Sequence, residues 1–222
     1  MMLPAYAEDL LGRKSLTVRP KMEAPTVGFC GWSRPRDFKN MLGTTMKNAL
    51  VRAKSLLDRR KLAELKGITL RADALDALRK TDGIRCDFIE RNSYSGHKDT
   101  ITVDPEASRR EFIANIERSD FVLCVKGDGN FSYRFFETLS MGRIPLLLDT
   151  ACVLPLEDRI DYDRFVCRVP LAERGDIGTI AKSWYHDLSE QEWATRQREA
   201  RRAFEEHLSA PVFFRRLFTE LL

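Results

Sequence analysis

The chain of 222 residues is short of the features that mark several large protein classes. Its three histidines, His97, His186 and His207, are far apart and no H-E-x-x-H occurs, which removes the common zinc-hydrolase patterns. No G-x-x-x-x-G-K-[ST] occurs either, so a Walker A phosphate loop is excluded. The five cysteines are odd in number and contain no Cys-x-x-Cys pair; Cys30, Cys86 and Cys124 lie in or beside strand-like runs. Reduced, buried thiols in a reducing compartment are expected. No apolar run approaches the ~18 residues of a membrane span, and MMLPAYAEDLLGRK has no long apolar core. A cytoplasmic location is the default expectation. Charge of one sign is also missing: 37 Lys plus Arg stand against 33 Asp plus Glu, and the net +4 is too small to argue for nucleic acid. There is no internal repeat and no low-complexity tract.

What remains is a globular composition, 43% hydrophobic and 32% charged, long enough for one large domain or two small ones. The most informative stretch is SDFVLCVKGDGNFSYRFFETLSMGRIPLLLD, Ser119 to Asp149. Phe121 to Val125 is an apolar run of strand length, broken by Lys126-Gly127-Asp128-Gly129-Asn130. Ser132 is placed to cap a helix over Tyr133 to Met141, with Phe135, Phe136 and Leu139 on its core face and Arg134, Glu137 and Ser140 on another. Gly142 stops that helix, and Ile144 to Leu148 restarts an apolar strand with Pro145 near its first residue. Two buried strands joined through a helix imply a parallel sheet, whose ligands sit beyond the carboxyl ends of its strands.

The rest of the chain fits the same plan. Residues 1–25 form a proline-punctuated, irregular lead-in. Thr26 to Trp32 is a first strand, followed by the basic loop Ser33-Arg34-Pro35-Arg36, the usual place for a phosphate-facing loop. A helix is expected over 37–60, with Lys47 and Asn48 early in it, then a partly helical segment to Gly83. Ile84 to Glu90 is a second strand, 92–105 a polar loop, and 105–118 an amphipathic helix with Phe112, Ile113 and Ile116 inward. After a loop over 150–162, Phe165 to Val169 is a last strand; helices follow over 176–188 and about 190–207, broken at Pro211 before a terminal amphipathic piece. The expected fold is α/β, a Rossmann-like doubly wound parallel sheet over 26–188, with the helices of 189–222 packed on the same domain.

Several chemistries compete for this scaffold. Gly127-Asp128-Gly129-Asn130-Phe131-Ser132 resembles the dinucleotide fingerprint, with Asp149 at a distance suited to a ribose, which leaves an NAD-binding oxidoreductase as an alternative. Its third glycine is missing, however, and the loop follows the third strand instead of the first. Asp161-Tyr162-Asp163 has the form of an acidic pair that holds a divalent metal in some sugar transferases. It precedes a strand where such pairs end one, so no metal site is expected.

Four motifs together resemble the carboxyl-terminal half of the exostosin-like glycosyltransferases. They are Ser132-Tyr133-Arg134-Phe135-Phe136-Glu137, Gly142-Arg143-Ile144-Pro145, Leu154-Pro155-Leu156 and Asp161-Tyr162. Upstream, Phe29-Cys30-Gly31 and Lys47-Asn48-Ala49-Leu50 resemble the family's Phe-x-Gly strand end and its Arg-Asn-Ala-Leu helix, with lysine for arginine. The resemblance runs from Val27 to about Pro170. It implies the donor-binding domain of a GT-B glycosyltransferase. The expected substrate is a nucleoside-diphosphate sugar, UDP- or GDP-linked, with a glycan or lipid-linked glycan as acceptor and no cofactor.

On that reading Glu137 accepts hydrogen bonds from the ribose hydroxyls, while Arg34, Lys47, Arg134 and the amides at Ser132 offset the diphosphate. Gly31, Gly127 and Asp128 complete the expected substrate-binding set. The blander alternatives are an exposed Arg134–Glu137 ion pair, solvated loop charge at Arg34 and Lys47, a plain helix cap at Ser132, and a solvated face on QREARRAFEEH. Catalytic residues are not identified, Asp128 being a candidate base only by its place in the loop. Family transferases have an additional amino-terminal domain, and about 25 residues precede this one. A fragment, a minimal enzyme and a non-catalytic donor-binding module, completed by a further domain or partner subunit, are all compatible with that length.

Overall fold

A computed structural model describes residues 3–33, 48–51, 53–54, 63–91, 104–127 and 129–221. Five strands, β1 (Thr26–Trp32), β2 (Arg85–Arg91), β3 (Phe121–Cys124), β4 (Ile144–Asp149) and β5 (Cys167–Pro170), form one sheet in the order β2-β1-β3-β4-β5. Every pairing is parallel. Strands covered on both faces need near-continuous apolar sequence, and the four residues of β3 and the first five of β4 are all buried. The edge strand β2 is more exposed, in keeping with its RCDFIER sequence.

Among the described residues the helices of eight residues or more are α1 (Gly67–Arg79), α2 (Pro105–Glu117), α3 (Tyr133–Ser140), α4 (Ile177–His186), α5 (Glu190–Ala203) and α6 (Ala210–Leu221). The step from β1 to β2 runs opposite to the steps from β2 through β3 to β4. With right-handed crossovers, α1 therefore lies on one face and α2 and α3 on the other. Helix α4 packs on α1, and α5 on α3. The doubly wound α/β expectation is met.

Helix ends follow local chemistry. Asp104 caps α2 through the amides of Glu106 and Ala107, with Pro105 in the first turn. Gly142 ends α3 with a left-handed φ of 60°, and the Arg143 amide bonds back to Thr138 O at 3.1 Å. Ser189 and Glu192 form a capping box on α5.

Residues 3–25 contain no helix or strand and strap the α2, α3 and α5 side. Asp9 takes both arms of Arg201 at 2.6 and 3.0 Å, the Leu10 amide bonds Ser140 Oγ at 3.2 Å, and Leu10 and Leu11 pack on Ile116, Val122 and Met141. Arg19 then reaches the buried Asp120 at 3.0 Å as the chain enters β1.

Some sequence expectations shift. The last strand begins at Cys167, because Phe165 and Val166 close a 3-10 turn and are buried against the core without pairing in the sheet. The final break falls at Ser209, whose backbone is extended, and Pro211 lies in the first turn of α6, where a missing amide hydrogen costs nothing. All five cysteines are free thiols; Cys30, Cys124 and Cys167 are buried, but Cys86 on the edge strand is exposed. Most of the helix expected over 37–60, and residues 92–103 of the polar loop, lie outside the described residues; residues 48–51 are helical. Among the described residues no helix is long and apolar enough to cross a membrane.

Candidate functional site

In the order β2-β1-β3-β4-β5 the chain reverses direction between β1 and β3, and the crevice beyond their carboxyl ends is where open α/β sheets take ligands. The end of β1, the loop after β3 and the start of α3 converge there. Arg134 crosses from α3 to β1 and donates through Nη2 to Cys30 O at 2.7 Å. Its guanidinium lies 4.5 Å from the centre of the Phe29 ring and 5.9 Å from that of Phe112. Gly31 permits the approach, since a Cβ there would stand 2.7 Å from Arg134 Nη2. Arg134 Nε is buried without a hydrogen-bond partner among the described residues. Burial also pushes the Arg134 pKa below its ordinary value.

One turn further along α3, Glu137 faces α2 instead of Arg134. Its carboxylate meets Arg109 Nη1 at 3.4 Å, and the same guanidinium bonds Glu8 of the strap at 2.6 Å. The Glu137 side chain is 18% exposed. Burial raises its pKa, against the fields of Arg134 and Arg109, which lower it. The exposed Arg134–Glu137 pair considered from sequence is therefore replaced by two enclosed groups with different partners.

The loop between β3 and α3 closes on itself. The Gly127 amide donates to Phe131 O at 3.0 Å, and the absent side chain at Gly129 makes room for the Phe131 ring, which would lie 2.9 Å from a Cβ. Asn130 ties the loop to the end of β4 through Thr150 Oγ1 at 2.5 Å. Ser132 occupies the N-cap position of α3 with extended backbone, as expected, but its hydroxyl makes no capping hydrogen bond. The amino end of α1 abuts the same loop: a Cβ at Gly67 would stand 2.1 Å from Lys126 O. Lys126 itself donates to Ala63 O at 2.6 Å, and burial lowers its pKa.

Of the expected site residues, the structure joins Gly31 to Arg134 and sets Gly127 and Ser132 on the adjoining loop, with Glu137 below. Arg34, Lys47 and Asp128 lie outside the described residues. Arg109, Lys126, Asn130 and Thr150 were not singled out from sequence. Lys126 and Asn130 could have been, as polar residues flanking the two loop glycines; Arg109 gave no signal, being 28 residues from its partner.

The competing chemistries fare differently. Asp149 lies 3.8 Å from Arg168 and accepts from the Cys152 amide at 3.3 Å, so its position is set by the β4–β5 edge. In Asp161-Tyr162-Asp163 the tyrosine is buried and donates to Pro155 O at 2.7 Å, while Asp163 lies 3.7 Å from Arg168. Among the described residues no group of three His, Cys, Asp or Glu side chains is placed to hold a metal ion.

A five-stranded, all-parallel sheet flanked by helices is consistent with a Rossmann-like domain of the GT-B type. The family described as the Exostosin GT47 domain matches residues 58–184, more than half of the chain. The chain belongs to this glycosyltransferase family. It is similar to Exostosin-1 of Drosophila melanogaster, with 40% identity over 57 residues, 26% of this chain and 8% of that relative. The matched stretch is thus a small part of the relative's length.

Proposed function

We propose that this domain binds a nucleoside-diphosphate sugar, UDP- or GDP-linked, in the crevice between β1 and β3 and serves its transfer, with inversion, to a glycan or lipid-linked glycan acceptor. The observation that supports this most directly is Arg134: a guanidinium held on Phe29 and Cys30 O at the switch point, with a buried Nε that meets no partner among the described residues. A fixed cation in a low-dielectric crevice suits a diphosphate. Negative charge grows on that group as the glycosidic bond breaks, so Arg134 and the amides of the first turn of α3 favour the transition state over the bound donor. Glu137, in its ionised form, accepts hydrogen bonds from the ribose hydroxyls. Gly31 and Gly127 let the backbone and Arg134 approach the anion closely. Arg34, Lys47 and Asp128 are proposed to extend the same site.

Calorimetric titration of UDP and GDP into the protein tests the site. Glu137→Ala and Arg134→Ala are each expected to weaken binding about 10- to 100-fold, the range for loss of a charged hydrogen bond. Unchanged affinity in both variants would sink the assignment. Release of nucleoside diphosphate in the presence of glycan acceptors distinguishes transfer from binding alone.

A further inference from the structure

The charged surroundings of Glu137 are built from three separate parts of the chain. Helix α2 contributes Arg109, the strap contributes Glu8, and α3 contributes Glu137 itself; among the described residues, Arg134 on the same helix is the other charge acting on that carboxylate. Arg109 is also set 5.7 Å from the centre of the Phe112 ring, one turn along α2, which limits where its guanidinium can go. Its two arms diverge, Nη1 to Glu137 and Nη2 to Glu8. The Glu8 contact is the shorter, 2.6 against 3.4 Å, although Glu8 is 74% exposed and Glu137 is 18% exposed.

We infer that Arg109 is a positioning residue for Glu137: it fixes the carboxylate from the α2 side so that its free oxygen faces the ribose, and Glu8 of the strap governs how closely Arg109 engages it. This rests on the proposal that Glu137 receives the ribose hydroxyls. The physical basis is competition for one cation. A single guanidinium shared by two carboxylates holds each less firmly than it would hold either alone, and the exposed partner is the one that solvent and salt can replace. Removing Glu8 leaves Arg109 to Glu137. Removing Arg109 leaves Glu137 with Arg134 as its main cation and with no group holding it from α2.

The two removals therefore have opposite effects on when Glu137 ionises. Burial holds its pKa above the ordinary carboxylate value, Arg109 and Arg134 lower it and Glu8 raises it. A group whose pKa is raised binds as a carboxylate only above that value, so donor affinity falls as pH drops through it.

The test is a 13C NMR titration of the Glu137 carboxyl in the nucleotide-free full chain, beside UDP affinity measured from pH 4 to 8. In Arg109→Gln the Glu137 midpoint is expected to rise by about 0.2 to 0.7 pH units, the size of an exposed ion pair. In Glu8→Gln it is expected to fall, and Arg109→Lys restores part of the wild-type value. The pH at which UDP affinity fades should move with the midpoint in each variant. Circular dichroism and melting temperature establish that all three variants are folded. Midpoints that stay in place, or that move in the same direction in Arg109→Gln and Glu8→Gln, overturn the inference. Failure of the underlying site is separately visible, because Glu137→Ala would then bind UDP as tightly as the wild type.

Discussion

The two ends of the one sheet each bury an arginine and pair it differently. At the amino end, Phe121 is enclosed by Trp184, Tyr185 and Trp193, with ring centres 5.7 to 6.0 Å apart. Asp120 accepts from Arg19 at 3.0 Å and from the Thr26 amide at 2.8 Å. Arg143, whose pKa burial pushes down to about 10, donates to Glu117 O at 2.9 and 3.1 Å and to Thr17 O at 3.1 Å. Gln197 pairs with both the amide and the carbonyl of Arg19. At the carboxyl end, Arg134 lies against the Phe29 ring and the Cys30 carbonyl, and its Nε has no partner among the described residues. A buried cation whose donors all meet backbone carbonyls closes a fold. Arg134 keeps one donor over, which the proposed diphosphate would take up, since an unmade buried hydrogen bond costs about 1–3 kcal/mol.

The largest test of this contrast is Phe121→Ala. Emptying the aromatic cage is expected to cost about 3–5 kcal/mol of stability, read from denaturant midpoints, with UDP affinity of the folded fraction unchanged. A loss of affinity with little loss of stability would erase the distinction between the ends. Gly31→Ala is the converse change, expected to cost less in stability but to weaken UDP about tenfold, because the new methyl would stand 2.7 Å from Arg134 Nη2 and displace the guanidinium. Wild-type affinity would mean that the position of Arg134 does not matter. The mildest test is thiol alkylation of the native protein near neutral pH. Cys86 is exposed and is expected to react first, whereas burial pushes Cys124 and Cys167 up to about 12 and keeps them unreactive until the chain unfolds. Early labelling of Cys124 would show that the β3 end of the crevice opens.

Much of the fold was legible because it depends on near neighbours. The runs FVLC and IPLLL are apolar throughout and fall in β3 and β4, buried on both faces. Gly142 stops α3 because its left-handed φ suits a glycine. Asp104 before Pro105 starts α2 by local capping. Phe165 misled for a related reason: an apolar residue before a strand has the composition of the strand whether it pairs in the sheet or packs beneath it. Ser132 shows a similar limit, since a residue type suited to capping stands at the N-cap without making the bond.

By itself the sequence determined the period of each element, the parallel α/β class and the motif that places Arg134 and Glu137 one turn apart on a single helix. Periodicity and capping act over a few residues, so they survive in a linear string. Only the tertiary structure decided that the strands run β2-β1-β3-β4-β5, which puts the crevice between residues as distant as Cys30 and Arg134. It also decided that Glu137 answers to Arg109 and the strap. Those partners are set by which surfaces meet when the apolar faces are buried, and no local pattern encodes a contact across 28 or 104 residues.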